Sequence, residues 1–308
     1  MEKGLVIKSS GSRYKVLNST GEVIECSIKG KFRMNDIRTT NPLSVGDNVL
    51  FEYGTGTDTC VISDLLPRRN YIIRKSSNLS KQSQILAANI DQAFLMATIV
   101  SPETRIEFID RFLASAEAYR INAKIIFNKT DLYNPDDLMK MEYLVSLYEK
   151  IGYQCFRISV QDEVNIAVLR DVLKGKTSLI AGNSGVGKTS LLNLLDPSLN
   201  LKVEEISGYH KQGKHTTTFS ELHIMPFGGY IIDSPGIRGF GVIDMAKEEI
   251  YHFFPEIFRV SKNCRFYNCI HLEEPGCAVR KAVDDGEIDA LRYRSYLNML
   301  ENGDSKYR

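Results

Sequence analysis

The chain has 308 residues, 43% of them apolar and 25% charged, with a formal net charge of +1. That composition is ordinary for a soluble globular protein of two or three domains, and the near-zero charge confines any affinity for nucleic acid to local patches. No run reaches the roughly 18 apolar residues of a membrane span and no apolar signal core follows Met1, so the expected location is the cytoplasm.

Residues 1 to about 66 read as five short strands: Leu5 to Ile7, Tyr14 to Leu17, Val23 to Cys26, Asn48 to Phe51 and Cys60 to Ile62. Gly11, Gly21, Gly46 and the Gly54–Gly56 stretch punctuate them. Five strands in so short a span predict a small closed barrel of the OB type. Lys29-Gly30-Lys31-Phe32-Arg33 is basic around an aromatic ring, which suits either a nucleic-acid loop or a solvated one. A stretch without acids follows, carrying Arg68, Arg69, Arg74, Lys75 and Lys81. It reads as an exposed linker that either lies against phosphates or faces water. The expected RNA contacts are Lys29, Lys31, Phe32, Arg33, Arg68 and Arg69.

Strand and helix patterns then alternate, which implies a mostly parallel sheet with ligands at the carboxyl ends of its strands. Ala93 to Val100 is a buried strand, and Ser101-Pro102 is expected to open a helix carrying Ile106, Ile109, Leu113 and Ala116. Lys124 to Phe127 is a strand ending at Asn128-Lys129-Thr130-Asp131. That element fits N-K-x-D, in which a carboxylate such as Asp131 accepts hydrogen bonds from guanine N1–H and the 2-amino group. Adenine offers neither donor there, and an unsatisfied buried carboxylate rejects it. Lys129 would pack along the base and Asn128 would hold neighbouring loops together. Asn134-Pro135 begins a helix with Leu138, Met141, Leu144, Tyr148 and Ile151 on one face. Cys155 to Ile158 is a strand ending at Ser159, and Ile166 to Leu173 is a short helix.

The strand Leu179-Ile180-Ala181 then runs into Gly182-Asn183-Ser184-Gly185-Val186-Gly187-Lys188-Thr189, followed by Ser190 and a leucine-rich helix. This is G-x-x-x-x-G-K-S/T in the strand-loop-helix setting it requires. Glycine backbone N–H groups and the helix N-terminus cradle phosphates, Lys188 reaches the β- and γ-phosphates, and Thr189 ligates Mg²⁺. Gly213-Lys214-His215-Thr216-Thr217-Thr218 comes next, in a polar segment over 201–219 expected to order only with triphosphate and Mg²⁺. Tyr230 to Ile232 leads to Asp233-Ser234-Pro235-Gly236, where Asp233 would hold Mg²⁺ through water and the Gly236 N–H would meet the γ-phosphate. The GTP-binding set is therefore Asn128, Lys129, Thr130, Asp131, Ser159, Gly182, Asn183, Ser184, Gly185, Val186, Gly187, Lys188, Thr189, Ser190, Asp233 and Gly236. The base element precedes the phosphate loop, so the motif order of a Ras-like GTPase is circularly permuted.

Of six cysteines, three fall between Cys264 and Cys277, which suggests metal rather than a disulfide scaffold. Cys264, Cys269, His271 and Cys277 follow C-x₄-C-x-H-x₅-C, a closed tetrahedral set suited to one structural Zn²⁺. Such a metal contributes on the order of 10 kcal/mol to folding a short segment. Ile288, Leu291, Tyr296 and Leu300 predict a last amphipathic helix. Arg280, Lys281, Arg292 and Arg294 either touch RNA or face solvent.

The combination resembles the YjeQ/YloQ family of small-ribosomal-subunit-dependent GTPases over essentially the whole chain. The resemblance rests on the barrel, Ala88-Asn89-Ile90-Asp91-Gln92, the permuted motifs, Gly-Lys-His-Thr-Thr-Thr, Asp-Ser-Pro-Gly-Ile-Arg and the cysteine–histidine set. It implies an OB-fold RNA-binding domain over 1–68, a permuted GTPase domain over 69–240 and a mainly helical zinc-binding domain over 241–308. It further implies late maturation of the small subunit, contact with 16S rRNA, and GTP hydrolysis to GDP stimulated by the subunit. A monomer acting without DNA or membrane is expected. The resemblance favours Thr217 or Thr218 to complete the Mg²⁺ shell. Ile237 stands where Ras-like enzymes carry a water-orienting glutamine, so unassisted turnover should be slow, on the order of 10⁻⁴ to 10⁻² per second. Either His215 positions the water, with Lys188 as the other catalytic group, or it docks on RNA. The alternative reading is a nucleotide-switched rRNA chaperone in which hydrolysis is incidental. A third, an ATP-driven P-loop protein, is opposed by Asp131.

Overall fold

A computed structural model describes residues 1–11, 13–28, 42–54, 60–75, 83–203, 220–234 and 246–301. The expectations placed on Lys29, Lys31, Phe32, Arg33, Lys81, His215, Thr216, Thr217, Thr218, Gly236 and Ile237 lie outside the described residues.

Period-two burial builds the first unit. In Arg13-Tyr14-Lys15-Val16 the exposed cations alternate with buried Tyr14 and Val16, as a half-buried strand requires. The strands are β1 (Glu2–Ser10), β2 (Arg13–Asn18), β3 (Val23–Ile28), β4 (Asn48–Tyr53) and β5 (Cys60–Leu65). β1 pairs with both β2 and β4, β2 with β3, and β3 with β5 in parallel. An antiparallel β4–β5 ladder completes the circuit, so the expected five-strand barrel closes and leaves no open edge. Val6, Val16, Val49, Phe51 and Ile62 fill it, each fully buried. At Gly4 a Cβ would stand 2.2 Å from Val16 Cγ1 and 2.9 Å from Phe51 Cε1, so glycine lets β1 close the barrel.

The basic stretch after the barrel is not a free linker. β6 (Tyr71–Lys75) and β7 (Ser83–Ala88) pair as an antiparallel ribbon, with Ile72 and Ala87 fully buried. The apolar residues between the cations supply this burial.

The central sheet comprises β8 (Gln92–Ala97), β9 (Asn122–Phe127), β10 (Gln154–Arg157), β11 (Thr177–Gly182), β12 (Glu221–Ile224) and β13 (Tyr230–Asp233). Its order is β10-β9-β8-β11-β13-β12, parallel except for β12. Helices α1 (Ile106–Ala118), α2 (Pro135–Ile151), α3 (Ile166–Leu173) and α4 (Lys188–Leu195) connect the strands. α1 and α2 belong to one apolar core and α3 and α4 to another, which makes the sheet doubly wound. Asn134 and Asp137 cap α2 reciprocally, with Pro135 at its first position. The helix expected from Ser101-Pro102 begins instead at Ile106. Thr98 accounts for this: its N–H bonds Thr104 Oγ1 at 3.0 Å and its hydroxyl bonds the Pro102 carbonyl, closing the segment as a loop.

β12 also meets the barrel, with Lys8 opposite Glu221 and their side chains 2.8 Å apart. The C-terminal unit holds α5 (Pro255–Ser261), α6 (Ala278–Asp284) and α7 (Ala290–Glu301). Phe254, Ile257, Val279 and Tyr296 form its core, to which α1 contributes Ala114. Arg292 does not face solvent or RNA; it is fully buried in this unit.

Candidate functional site

Four parallel strands deliver their carboxyl ends to one edge of the sheet. β9 leads to Asn128, β10 leads to Ser159, β11 ends at Gly182 and β13 ends at Asp233. Residues far apart in sequence thus meet at one rim.

The phosphate loop needs its glycines for two separate reasons. Gly182 has φ +155° and lies where a Cβ would be 2.5 Å from the Met96 carbonyl oxygen. Gly187 has φ +101° and a Cβ there would be 2.5 Å from Asn128 Nδ2. That close approach lets the Asn128 amide donate to the Val186 carbonyl at 2.8 Å, while its oxygen accepts the Val160 N–H at 3.2 Å. One side chain therefore joins the N-K-x-D turn, the loop after β10 and the phosphate loop. Tyr133 supports it, donating to the Asn128 carbonyl at 2.6 Å and accepting the Ile99 N–H at 2.8 Å. No motif marks Tyr133, because the bond goes to backbone.

Lys129 adopts φ +65° and donates to the Ser101 carbonyl at 2.5 Å. Thr130 Oγ1 donates to the Ile158 carbonyl at 3.1 Å. Ser159 Oγ donates to Asp131 Oδ1 at 2.6 Å, which orients the carboxylate and leaves its second oxygen for a ligand. Lys188 Nζ donates to the carbonyls of Gly182 at 2.7 Å and Asn183 at 2.8 Å. Burial holds its ammonium below the usual lysine range, opposed by Asp233. Asp233 is pushed up to about 6 by burial, against the pull of Lys188. Its Oδ1 is buried and, among the described residues, has no hydrogen-bond partner. A buried, unsatisfied carboxylate oxygen beside a phosphate-loop lysine fits a divalent cation. Thr189 and Ser190, at the first turn of α4, stand partly exposed at the same end of β11.

Arg68 leaves the expected RNA set. Its Nε and Nη2 both lie 2.6 Å from Asp47, and the side chains are 7% and 0% exposed. It pins the barrel loop to the ribbon that follows. Arg69 is 61% exposed, though its guanidinium also reaches Asp91 at 2.6 Å.

The Cys264, Cys269, His271 and Cys277 ligand atoms lie within 4.8 Å of one another. His271 Nδ1 is 3.6 Å from both Cys264 Sγ and Cys277 Sγ, which are 4.0 Å apart. A tetrahedron with Zn–S near 2.3 Å and Zn–N near 2.05 Å has edges of about 3.6 Å for S···N and about 3.8 Å for S···S. Burial pushes Cys269 up to about 12 and raises Cys277, so a cation is what would ionise them. Burial lowers His271, which keeps the imidazole a neutral ligand. Glu274 fixes the ligand loop by accepting the Ile270 and Leu272 N–H groups at 2.7 and 2.8 Å. Tyr296 and Tyr293 hydroxyls donate to the Ile270 and His271 carbonyls, each at 2.6 Å. The sequence reading missed these three supports.

A family model described as RsgA GTPase matches residues 65–243, and one described as RsgA N-terminal domain matches 3–61. A Bacteroides fragilis relative named small ribosomal subunit biogenesis GTPase RsgA is 55% identical over 307 residues, covering 99% of each chain. A Christiangramia forsetii relative of the same name is 49% identical over 308 residues, covering 99% of this chain and 98% of its own. The solved structure of YjeQ from Thermotoga maritima aligns with a TM-score of 0.79 at 35% identity over 97% of each chain. That of YloQ, described as a circularly permuted GTPase, aligns with a TM-score of 0.74 at 30% identity over 100% of this chain and 97% of its own.

Proposed function

The chain belongs to the RsgA GTPase family, and on that premise we propose that it binds the small ribosomal subunit, acts late in its maturation and hydrolyses GTP under the subunit's stimulation. It is a GTP hydrolase of permuted motif order. The observation that carries the nucleotide reading is the Asn128 amide joined to Val186, which fixes the guanine-recognition turn against the phosphate loop.

In this reading Asp131, oriented by Ser159, accepts the two guanine donors, and Lys129 packs along the base. The amides of Asn183 to Thr189 surround the β-phosphate. Lys188 leaves the two carbonyls it now bonds and reaches the β- and γ-phosphates. Thr189, Asp233 through water, and Thr217 or Thr218 would hold Mg²⁺, which would supply positive charge beside the β- and γ-phosphates. The Gly236 N–H meets the γ-phosphate, and His215 positions water in place of the side chain Ile237 lacks. Cys264, Cys269, His271 and Cys277 hold one structural Zn²⁺. The partners are 16S rRNA within the small subunit, met through Lys29, Lys31, Phe32, Arg33 and Arg69, and GTP or GDP. The protein acts as a cytoplasmic monomer, without DNA. Among the described residues no helix is long and apolar enough to cross a membrane.

The test is GTP turnover alone and with purified small subunits. Strong stimulation that Lys188→Ala removes is expected. Turnover indifferent to the subunit would sink the partner, and loss of stimulation in His215→Ala with nucleotide affinity intact would support the water-positioning role.

A further inference from the structure

The ligand loop of the metal centre presents an aromatic side chain that folding does not use. Tyr267, between Cys264 and Cys269, is 100% exposed, and its neighbour Phe266 is 40% exposed. An aromatic ring exposed to this degree gains nothing from burial, and a group of such rings on a monomer marks a contact surface. Phe258, also 40% exposed, and Leu272 at 39% are further exposed apolar side chains of the same unit.

Cations are interleaved with the rings. The Arg265 guanidinium sits 5.4 Å from the Phe266 centroid and Lys262 Nζ sits 5.5 Å from the Phe258 centroid. His252 packs edge-on against Phe258 with centroids 5.0 Å apart. Gly276 sets the position of Arg265: at φ +73° it lies where a Cβ would be 3.2 Å from Arg265 Cβ, and its carbonyl accepts the Arg265 N–H at 3.3 Å. From Ile257 to Leu272 the sequence holds Arg259, Lys262 and Arg265 and no acidic residue, in a chain whose net charge is only +1. A Zn²⁺ on three thiolates and an imidazole would bring one net negative charge, and Glu273 and Glu274 follow Leu272, so the cations that matter are the two seated on the rings, Arg265 and Lys262.

We propose that Tyr267 is a stacking platform for an unpaired RNA base, with Arg265 and Lys262 holding the flanking phosphates. Aromatic rings interleaved with cations are the chemistry of single-strand recognition: the ring accepts any base face and the cations track the backbone. A paired base offers no free face to a ring standing out from a loop, so the partner is a single-stranded RNA segment. This inference rests on the proposed RNA-containing partner, and it adds a contact outside the barrel and the linker.

The chain contains no tryptophan, so Tyr267→Trp in the full zinc-loaded protein is a site-specific fluorescent reporter. A twelve-nucleotide single-stranded adenine RNA should quench its emission saturably, and a duplex of equal length should leave it unchanged. Tyr267→Ala should weaken binding of that strand about tenfold, the size of one lost stacking contact, while Tyr267→Phe keeps it. Zinc content and unstimulated GTP turnover should not move in any of the three. Absence of quenching, or an affinity in Tyr267→Ala within twofold of the parent, overturns the proposal. Loss of subunit stimulation in Tyr267→Ala with strand affinity intact also overturns it, and assigns the face to a ribosomal protein. Subunit stimulation of the parent chain, measured in the same preparation, tests the ribosomal reading separately, because the quenching needs no subunit.

Discussion

Burial lifts the Asp233 carboxyl to about 6, and Lys188 only partly opposes it. Between about pH 4 and that value the folded chain keeps a proton that the unfolded chain has released. The stability this side chain contributes is therefore full at low pH and is lost as pH rises through about 6. Its charge at pH 8 costs about 3 kcal/mol before any cation binds. Asp233→Asn should raise the metal-free protein's resistance to urea at pH 8 by about 1–2 kcal/mol, since a neutral amide escapes part of that cost. The same change should remove most Mg²⁺-dependent turnover. A variant less stable than the parent would show that the pairing with Lys188 outweighs burial. Gly187 gives a second test, because any Cβ there meets Asn128 at 2.5 Å. Gly187→Ala should weaken GTP binding at least tenfold by parting the base turn from the phosphate loop, read by titration with a fluorescent GTP analogue.

At the level of elements, one guanidinium ties the C-terminal helices to the GTPase sheet. Arg292 on α7 donates to Asp110 on α1 at 2.6 Å and to Glu256 on α5 at 2.7 and 3.3 Å. Its carbon Cζ stands 4.5 Å from the Phe254 ring centroid, and Tyr148 on α2 donates to Asp110 at 2.9 Å. The two acids and the arginine are all nearly or fully buried. Arg292→Met strands two carboxylates and should cost about 3–5 kcal/mol in urea unfolding. Adding Asp110→Leu and Glu256→Leu should return most of that loss, because no buried charge is then left unpaired. A loss below about 1 kcal/mol in the single variant would mean water reaches the carboxylates. α1 matters here for a second reason: it packs under the central sheet and also lends Ala114 to the C-terminal core.

Across the whole molecule, the central sheet gathers the residues proposed to hold the nucleotide, whatever their order along the chain. Asn128, Ser159, Gly182 and Asp233 all stand at carboxyl ends of strands, so permuting the connections leaves the rim intact. The permutation changes what the rim is attached to. β12 follows the threonine segment and meets the barrel at Glu221 and Lys8, while the chain after Asp233 continues toward the unit that carries the cysteine–histidine cluster. That Lys8–Glu221 pair is more than one-third exposed and contributes little by itself. Stripping zinc with a chelator and restoring Mg²⁺ should disorder the core around Phe254 and Tyr296. GTP binding should persist, because among the described residues no hydrogen bond or ring contact joins a rim side chain to Cys264, Cys269, His271 or Cys277. Subunit stimulation should be lost. Metal analysis should find one zinc per chain, and retained stimulation after its removal would count against a structural role.

The sequence by itself determined the sites whose chemistry is local. A glycine-lysine loop, an N-K-x-D turn and four closely spaced ligands each declare themselves, because spacing along the chain sets their geometry. Period-two and helical patterns likewise announced the barrel and the alternating sheet. Tertiary structure alone decided the charged residues. Arg68 and Arg292 looked like surface cations, yet buried carboxylates distant in sequence, Asp47 for one and Asp110 and Glu256 for the other, turned them inward. Tyr267 went the other way: one exposed ring between two cysteines carries no pattern, and only its full exposure, in a segment whose cations Arg265 and Lys262 sit on the neighbouring rings Phe266 and Phe258, gives it meaning. A side chain's environment depends on partners that the chain brings near only when folded.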